Sequence, residues 1–359
     1  MTTSNLTYII SSFALSSILS LFLTPIMILI AKKFDIVDKP NYRKMHKTST
    51  PLLGGLAIYI AFIVTVAIFS FHQYPLVKIA VILGATLIEI VAIIDDIKNL
   101  SPKLRIVIMF LLSVAIYLTF YYSYFTWNIL HDNLWMKILL CGVVVFWVTG
   151  IINAINFTDG IDGLSSYFSL IALFAFSVIL AIQGRYEFAL IVNIAAIGGV
   201  IGFIPYNRHK ALIFMGDAGS MLLGFIIGMI SLVSTTKADT VLYVIVPVYI
   251  LLIPLLELIT SIMRRLILKK PIFLADKYHF HHLLSRKIDD NLIVVVLLAS
   301  VQVLFAFLGV IIYIYGIYII GLVLLIAVTI AILALLTYKY IKLREELAEC
   351  ADDSTKSEA

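Results

Sequence analysis

Long unbroken runs of Leu, Ile, Val, Phe and Ala, separated by short polar stretches, extend from about residue 7 to about residue 338. A helix rises ~1.5 Å per residue, so about 20 apolar residues cross ~30 Å of hydrocarbon. About eleven runs meet that length, near 7–31, 52–71, 77–94, 105–122, 135–153, 164–182, 187–204, 217–233, 241–263, 292–314 and 316–338. Strands of a membrane barrel would alternate apolar and polar positions instead, which excludes that architecture. The pattern predicts an all-α polytopic membrane protein, with one transmembrane domain over 1–338 and a charged tail over 339–359 that begins helical and is partly disordered. The first run has no basic segment before it and reads as a retained span. Pro247 and Pro254 each remove a backbone hydrogen bond from the run near 241–263, so a kinked or broken helix is expected there. Gly198-x-x-x-Gly202 and Gly224-x-x-x-Gly228 suit close helix contacts, within a subunit or across a homodimer.

Composition agrees: 62% of the residues are hydrophobic and 13% charged, so the bilayer is the solvent for most of the chain. The few charges are unevenly placed. If Lys32 and Lys33 face the cytoplasm, alternation leaves only Lys78, Lys137, Arg185 and Lys237, of 26 Lys and Arg, on the other side. The positive-inside rule then gives an N-out, C-in topology. The net charge of +5 therefore needs no nucleic acid as a partner. Cys141 and Cys350 fall on opposite sides of the membrane and form neither a disulfide nor a zinc framework.

The cytoplasmic loops hold nearly every clustered Asp, Asn and His, whereas a transporter would place such groups near the bilayer midplane. The third run ends in Asp95-Asp96, and Ser101-Pro102 is set to start the next helix. Adjacent carboxylates repel and lose hydration at an interface, so the pair is either a solvated helix end or a cation or proton-transfer site. After the fifth run, Asn153, Asn156, Asp159 and Asp162 recur every three residues and would share one face of a continued helix. Capping accounts for one aspartate, but not for four aligned polar groups. Gly160 and Gly163 allow a ligand close to the backbone there.

Asn207 precedes Phe214-Met215-Gly216-Asp217-Ala218-Gly219-Ser220. Asp217, at a helix start, suits either an N-cap or a Mg²⁺ ligand whose neighbouring amides receive phosphate. Phe214 is placed to stack on a base or simply to pack. Arg264 and Arg265 open a basic segment that sets topology or meets anionic lipid. His279, His281 and His282 follow; without cysteines or conventional spacing they suit hydrogen bonding to phosphate or sugar oxygens, or a polar loop, better than zinc. The first loop, with Lys39, Asn41, Arg43, Lys44, His46 and Lys47, supplies cations opposite the acidic loops.

Taken together, Asp38-Lys39-Pro40-Asn41-x-Arg43-Lys44-x-His46, Asp95-Asp96, Asn153-x-x-Asn156-x-x-Asp159-Gly160-x-Asp162-Gly163-Leu164, Phe214-Met215-Gly216-Asp217-x-Gly219-Ser220 and His279-x-His281-His282 resemble the polyprenyl-phosphate N-acetylhexosamine-1-phosphate transferases. The resemblance spans the first ten runs in order. It implies transfer of a sugar 1-phosphate from a UDP-sugar to polyprenyl (undecaprenyl) phosphate with release of UMP, dependent on Mg²⁺ or Mn²⁺, at the cytoplasmic face of a bacterial plasma membrane. The first loop and the histidines resemble the branch that uses UDP-N-acetylglucosamine more than the branch that uses UDP-N-acetylmuramoyl-pentapeptide. By the same resemblance Asp217 is the metal ligand, and Asp95 and Asp96 lie beside the attacking lipid phosphate, with Asn156, Asp159, His279, His281 and His282 as further catalytic groups. Lys39, Asn41, Arg43, Lys44, His46, Lys47, Asn153, Asp162, Asn207, Phe214, Arg264 and Arg265 are then substrate-binding. The rival readings are a membrane transporter or flippase and a nonenzymatic scaffold. Glu89 and Glu257, the only acids well inside runs, both fall toward the cytoplasmic ends, which favours an interfacial enzyme.

Overall fold

The computed structural model describes residues 3–38, 49–69, 75–123, 133–185, 188–235, 241–269, 271, 279–285, 287–288 and 290–357. Helices α1 (Thr3–Lys33), α2 (Gly54–Phe69), α3 (Pro75–Lys98), α4 (Pro102–Ser123), α5 (Leu134–Phe157), α6 (Leu164–Ile182), α7 (Phe188–Asn207) and α8 (Gly216–Thr235) follow one another. A 3₁₀ turn (Val241–Val244) then leads to α9 (Ile245–Ile250), α10 (Leu252–Ile267), α11 (Phe280–Ser285), α12 (Asn291–Tyr315) and α13 (Tyr318–Ser357). Strands β1 (Val37–Asp38) and β2 (Thr50–Pro51) form a two-residue antiparallel ribbon after α1.

The apolar runs are helical through most of their described residues, but they are not equal spans. Among the described residues nine helices are long and apolar enough to cross a membrane. Helix α2, with 16 residues, reaches only about 24 Å. The run near 241–263 is bent by 86° at Leu251, between α9 and α10. Pro254 explains the break: it has no N–H for the carbonyl of Ile250, four residues earlier. Gln302 of α12, fully buried, repairs the damage by donating through Nε2 to that carbonyl and accepting the Ile253 N–H at 3.3 Å. Helix α13 continues through Ser357, across the charged segment set off above as a partly disordered tail.

Local chemistry sets the helix starts. Ser101 Oγ accepts the Leu104 N–H at 3.4 Å ahead of α4, Asn133 accepts the Trp135 N–H at 2.9 Å ahead of α5, and Asp290 accepts the Leu292 N–H at 2.8 Å ahead of α12. The core is built around α8, buried along nearly its whole length and packed against α2, α3, α5, α6 and α7. Gly224 lets α8 meet α5; a Cβ there would lie 2.6 Å from Ile152 Cα. Gly198 and Gly202 bring α7 equally close to α1, so both glycine pairs serve contacts within this chain. At one end of the bundle the C-termini of α3, α5 and α7 meet the N-termini of α4, α6 and α8.

Candidate active site

The polar residues at that end line a cavity of about 980 Å³. Helix α3 brings Asp95 and Asp96, the turn between α5 and α6 brings Asp159 and Asp162, the end of α7 brings Asn207, and α8 brings Asp217. Phe214 and His282 complete the set of expected residues on its wall.

Each carboxylate has its own partners. Asp95 accepts the Leu100 N–H at 2.6 Å and is ion-paired to Arg105 of α4. Arg105 also donates to Asp217 Oδ2 at 2.9 Å, while Asn156 Nδ2 donates to Asp217 Oδ1 at 2.7 Å and to Ser220 Oγ at 3.0 Å. Asp217 is thus not the cap of its own helix. That place belongs to Asp96, whose two oxygens accept the N–H groups of Asp217 at 2.9 Å and Ala218 at 3.2 Å. Gly216, at φ +71°, makes the approach feasible; a Cβ on it would stand 2.6 Å from Asp96 Oδ2. The α8 N-terminus expected to receive phosphate therefore already holds a carboxylate. Asp162 accepts the Ala211 N–H at 3.0 Å, and Asn207 links Ser166 Oγ at 2.8 Å to the Ile213 carbonyl at 3.1 Å.

The side-chain carboxyl of Asp159 has no hydrogen-bond partner among the described residues, while its backbone N–H bonds the Asn156 carbonyl at 3.1 Å. Burial, with the negative charges of Asp217 and Asp162 nearby, pushes its carboxyl up to about 8.

Other expected residues lie elsewhere. Helix α5 stops at Phe157, where Thr158 Oγ1 turns back to the Ile155 carbonyl at 2.7 Å, so the expected four-residue helical face is not formed. Asn153 is not among the residues that line the cavity and donates to the Thr149 carbonyl at 2.7 Å. Asp159 and Asp162 reach the site from a turn instead. His279, His281, Arg264 and Arg265 are buried behind the cavity wall. Arg265 stacks over Phe157 at 5.5 Å, and Arg264 donates to Ser261 Oγ at 3.1 Å. Lys39, Asn41, Arg43, Lys44, His46 and Lys47 lie outside the described residues.

Three residues outside the expected set matter to this geometry. Arg105, in the first turn of α4, joins Asp95 to Asp217. Ser220 supports Asn156. Glu257 of α10 bonds both His279 and His281. The signal for Glu257 was present: a carboxylate inside an apolar run requires a partner.

A second cavity, about 360 Å³ and almost wholly apolar, runs between α10 and α13 along Leu252, Leu255, Leu256, Ile259, Leu325 and Ile330. It lies on α10 just past the break.

Residues 78–235 match the profile of glycosyl transferase family 4. The chain is 34% identical, over 76% of each chain, to a probable undecaprenyl-phosphate N-acetylglucosaminyl 1-phosphate transferase of Bacillus subtilis. It is 31% identical, over 78% of this chain and 77% of the other, to the undecaprenyl-phosphate alpha-N-acetylglucosaminyl 1-phosphate transferase of Escherichia coli. A phospho-N-acetylmuramoyl-pentapeptide-transferase of Listeria welshimeri is 32% identical over 62% of this chain and 74% of its own.

Proposed function

The chain belongs to glycosyl transferase family 4, and from that premise we propose that it transfers N-acetylglucosamine 1-phosphate from UDP-N-acetylglucosamine to undecaprenyl phosphate and releases UMP. The orientation is N-out and C-in, with the site at the cytoplasmic face of a bacterial plasma membrane. The observation that carries the reading is the convergence of Asp95, Asp96, Asp159, Asp162 and Asp217 on one cavity at one end of the bundle, with Arg105 paired to Asp95 and Asp217. The apolar groove between α10 and α13 supports an acceptor with a prenyl tail, since a long hydrocarbon chain needs a dry, lateral surface.

Displacement at phosphorus concentrates negative charge, so the site must neutralise it and hold attacker and leaving group in line. The donor set suits a hard divalent cation: the groups are carboxylates, and burial, with Asp217 and Asp162 nearby, disfavours a bare charge on Asp159. Asp217 would hold Mg²⁺, which supplies charge neutralisation at the phosphates when bound. Arg105 keeps Asp95 and Asp217 in fixed orientation, and Asn156 presents the second oxygen of Asp217. All four oxygens of Asp95 and Asp96 accept hydrogen bonds, which makes both poor nucleophiles. A lipid phosphate is mostly ionised near neutral pH, its second pKa being about 6 by analogy with phosphoserine. Direct attack by the lipid phosphate follows, with no covalent aspartyl intermediate.

The second reading, the same chemistry on UDP-N-acetylmuramoyl-pentapeptide, is favoured by the Listeria relative, which matches less of the chain. Purified protein, offered both labelled donors in competition with undecaprenyl phosphate and Mg²⁺, is expected to make only the N-acetylglucosamine lipid. Preference for the pentapeptide donor selects the second reading, and no product from any UDP-sugar removes both.

A further inference from the structure

Glu257 lies in α10 with 2% of its surface exposed, and the reaction outlined above does not use it. Its oxygens are heavily committed. Oε2 faces His279 Nδ1 at 3.3 Å; Oε1 faces His281 Nδ1 at 3.2 Å and accepts the His281 backbone N–H at 3.3 Å. Those bonds dock the histidine segment onto α10, and the two imidazoles stack with centroids 5.4 Å apart and planes within 5°. With Nδ1 held by the carboxylate, only Nε2 of His281 remains to act. That atom is fully buried, has no hydrogen-bond partner among the described residues, and presses on Gly160, where a Cβ would collide with it. Gly160 sits between Asp159 and Asp162, in the turn that delivers both carboxylates to the cavity.

We infer that Glu257 is a positioning residue: it fixes the Nδ1–H form of His281, whose Nε2 edge sets the place of the 158–163 turn and hence of Asp159 and Asp162. The inference rests on the transferase reading above and assigns His281 to bracing that turn rather than to contacting the donor. The glycine at 160 follows from the same contact, since a side chain would push the imidazole or the turn away. Helix α10 carries the apolar groove on one face and Glu257 on another, so the brace spans from the groove wall to the carboxylate turn.

A double-substitution cycle on the full-length protein tests the brace. Glu257→Gln is expected to lower turnover on the order of ten- to a hundredfold, the usual consequence of losing a carboxylate behind a working histidine. In a His281→Ala background the same substitution should cost only a small fraction of that, because its effect travels through the ring. Gly160→Ala should reproduce the loss with Glu257 intact. Equal losses from Glu257→Gln in both backgrounds, or full activity in Gly160→Ala, overturn the inference. Nitrogen-15 NMR of histidine-labelled protein provides a readout that does not depend on turnover. His281 should show protonated Nδ1 in the wild type and lose that signature in Glu257→Gln; an unchanged signal refutes the brace even if no donor is ever turned over. If the signature changes as expected while no UDP-sugar reacts, the brace stands and the transferase reading falls.

Discussion

Asp217 holds two side-chain hydrogen bonds that a helix cap would not need, one from Arg105 and one from Asn156. Asp217→Asn keeps the shape of the residue and leaves the Asp96 cap untouched, while it removes the charge and one of the two acceptors that meet Arg105 and Asn156. Turnover should fall on the order of a hundredfold or more, the scale of losing one electrostatic group at a reacting centre, while the unfolding temperature stays within a few degrees. Undiminished activity in that variant contradicts a metal-binding role. Asp159 supports a test in pH. Its folded carboxyl titrates near 8 against an ordinary 3.8, so the native state binds a proton that the unfolded chain has released. The stability it contributes is present at low pH and is lost as pH rises from about 4 through about 8. In chelator-treated protein, the fall in unfolding temperature between pH 6 and pH 9 should be smaller for Asp159→Asn than for the wild type; parallel curves dismiss the claim. The acidic residues of this site were legible in the sequence because charge is conspicuous in an apolar chain. The partners were not: Glu257 meets histidines 22 and 24 positions downstream, and Arg105 meets Asp217 across 112 positions.

Helix α10 owes its existence as a separate element to Pro254 and to the side chain that compensates for it. Gln302 satisfies one carbonyl and one N–H at the 86° bend, both otherwise stranded away from water. Gln302→Leu should cost about 1–3 kcal/mol, the desolvation penalty of buried groups left unpaired, seen as a lower unfolding temperature in detergent. Stability equal to the wild type shows that the bend is self-sufficient. The break itself was readable from two prolines in one run, and the long helices from run length, whereas the six-residue α11 in the histidine loop was not. The end of α5 was misjudged, since polar residues spaced by three imitate a helical face even where Thr158 has already closed the helix.

At the scale of the whole molecule, the sequence encodes an orientation through its cations, and an experiment can read it directly. A reporter that fluoresces only in the cytoplasm, fused after Ala359, should be bright, and one that works only outside should be silent. The reverse result inverts the topology and moves the acidic cavity to the outer face. Overall architecture was largely visible beforehand because hydrocarbon admits few alternatives to the helix. Which helices touch was not visible, since small residues that permit contact do not specify a partner.

The Asp96 clasp also has a consequence in time. Its two donors lie 121 and 122 positions farther along the chain, and a ribosome adds about 5–20 residues per second. For roughly 6 to 24 s after its synthesis, Asp96 has no α8 to bind and must stay hydrated at the membrane surface. A nascent chain halted before Gly216 would thus own most of its membrane helices and none of its chemistry. The carboxylate end closes only when α8 arrives, so the Asp96 clasp marks the moment at which a string of inserted helices acquires its carboxylate cluster.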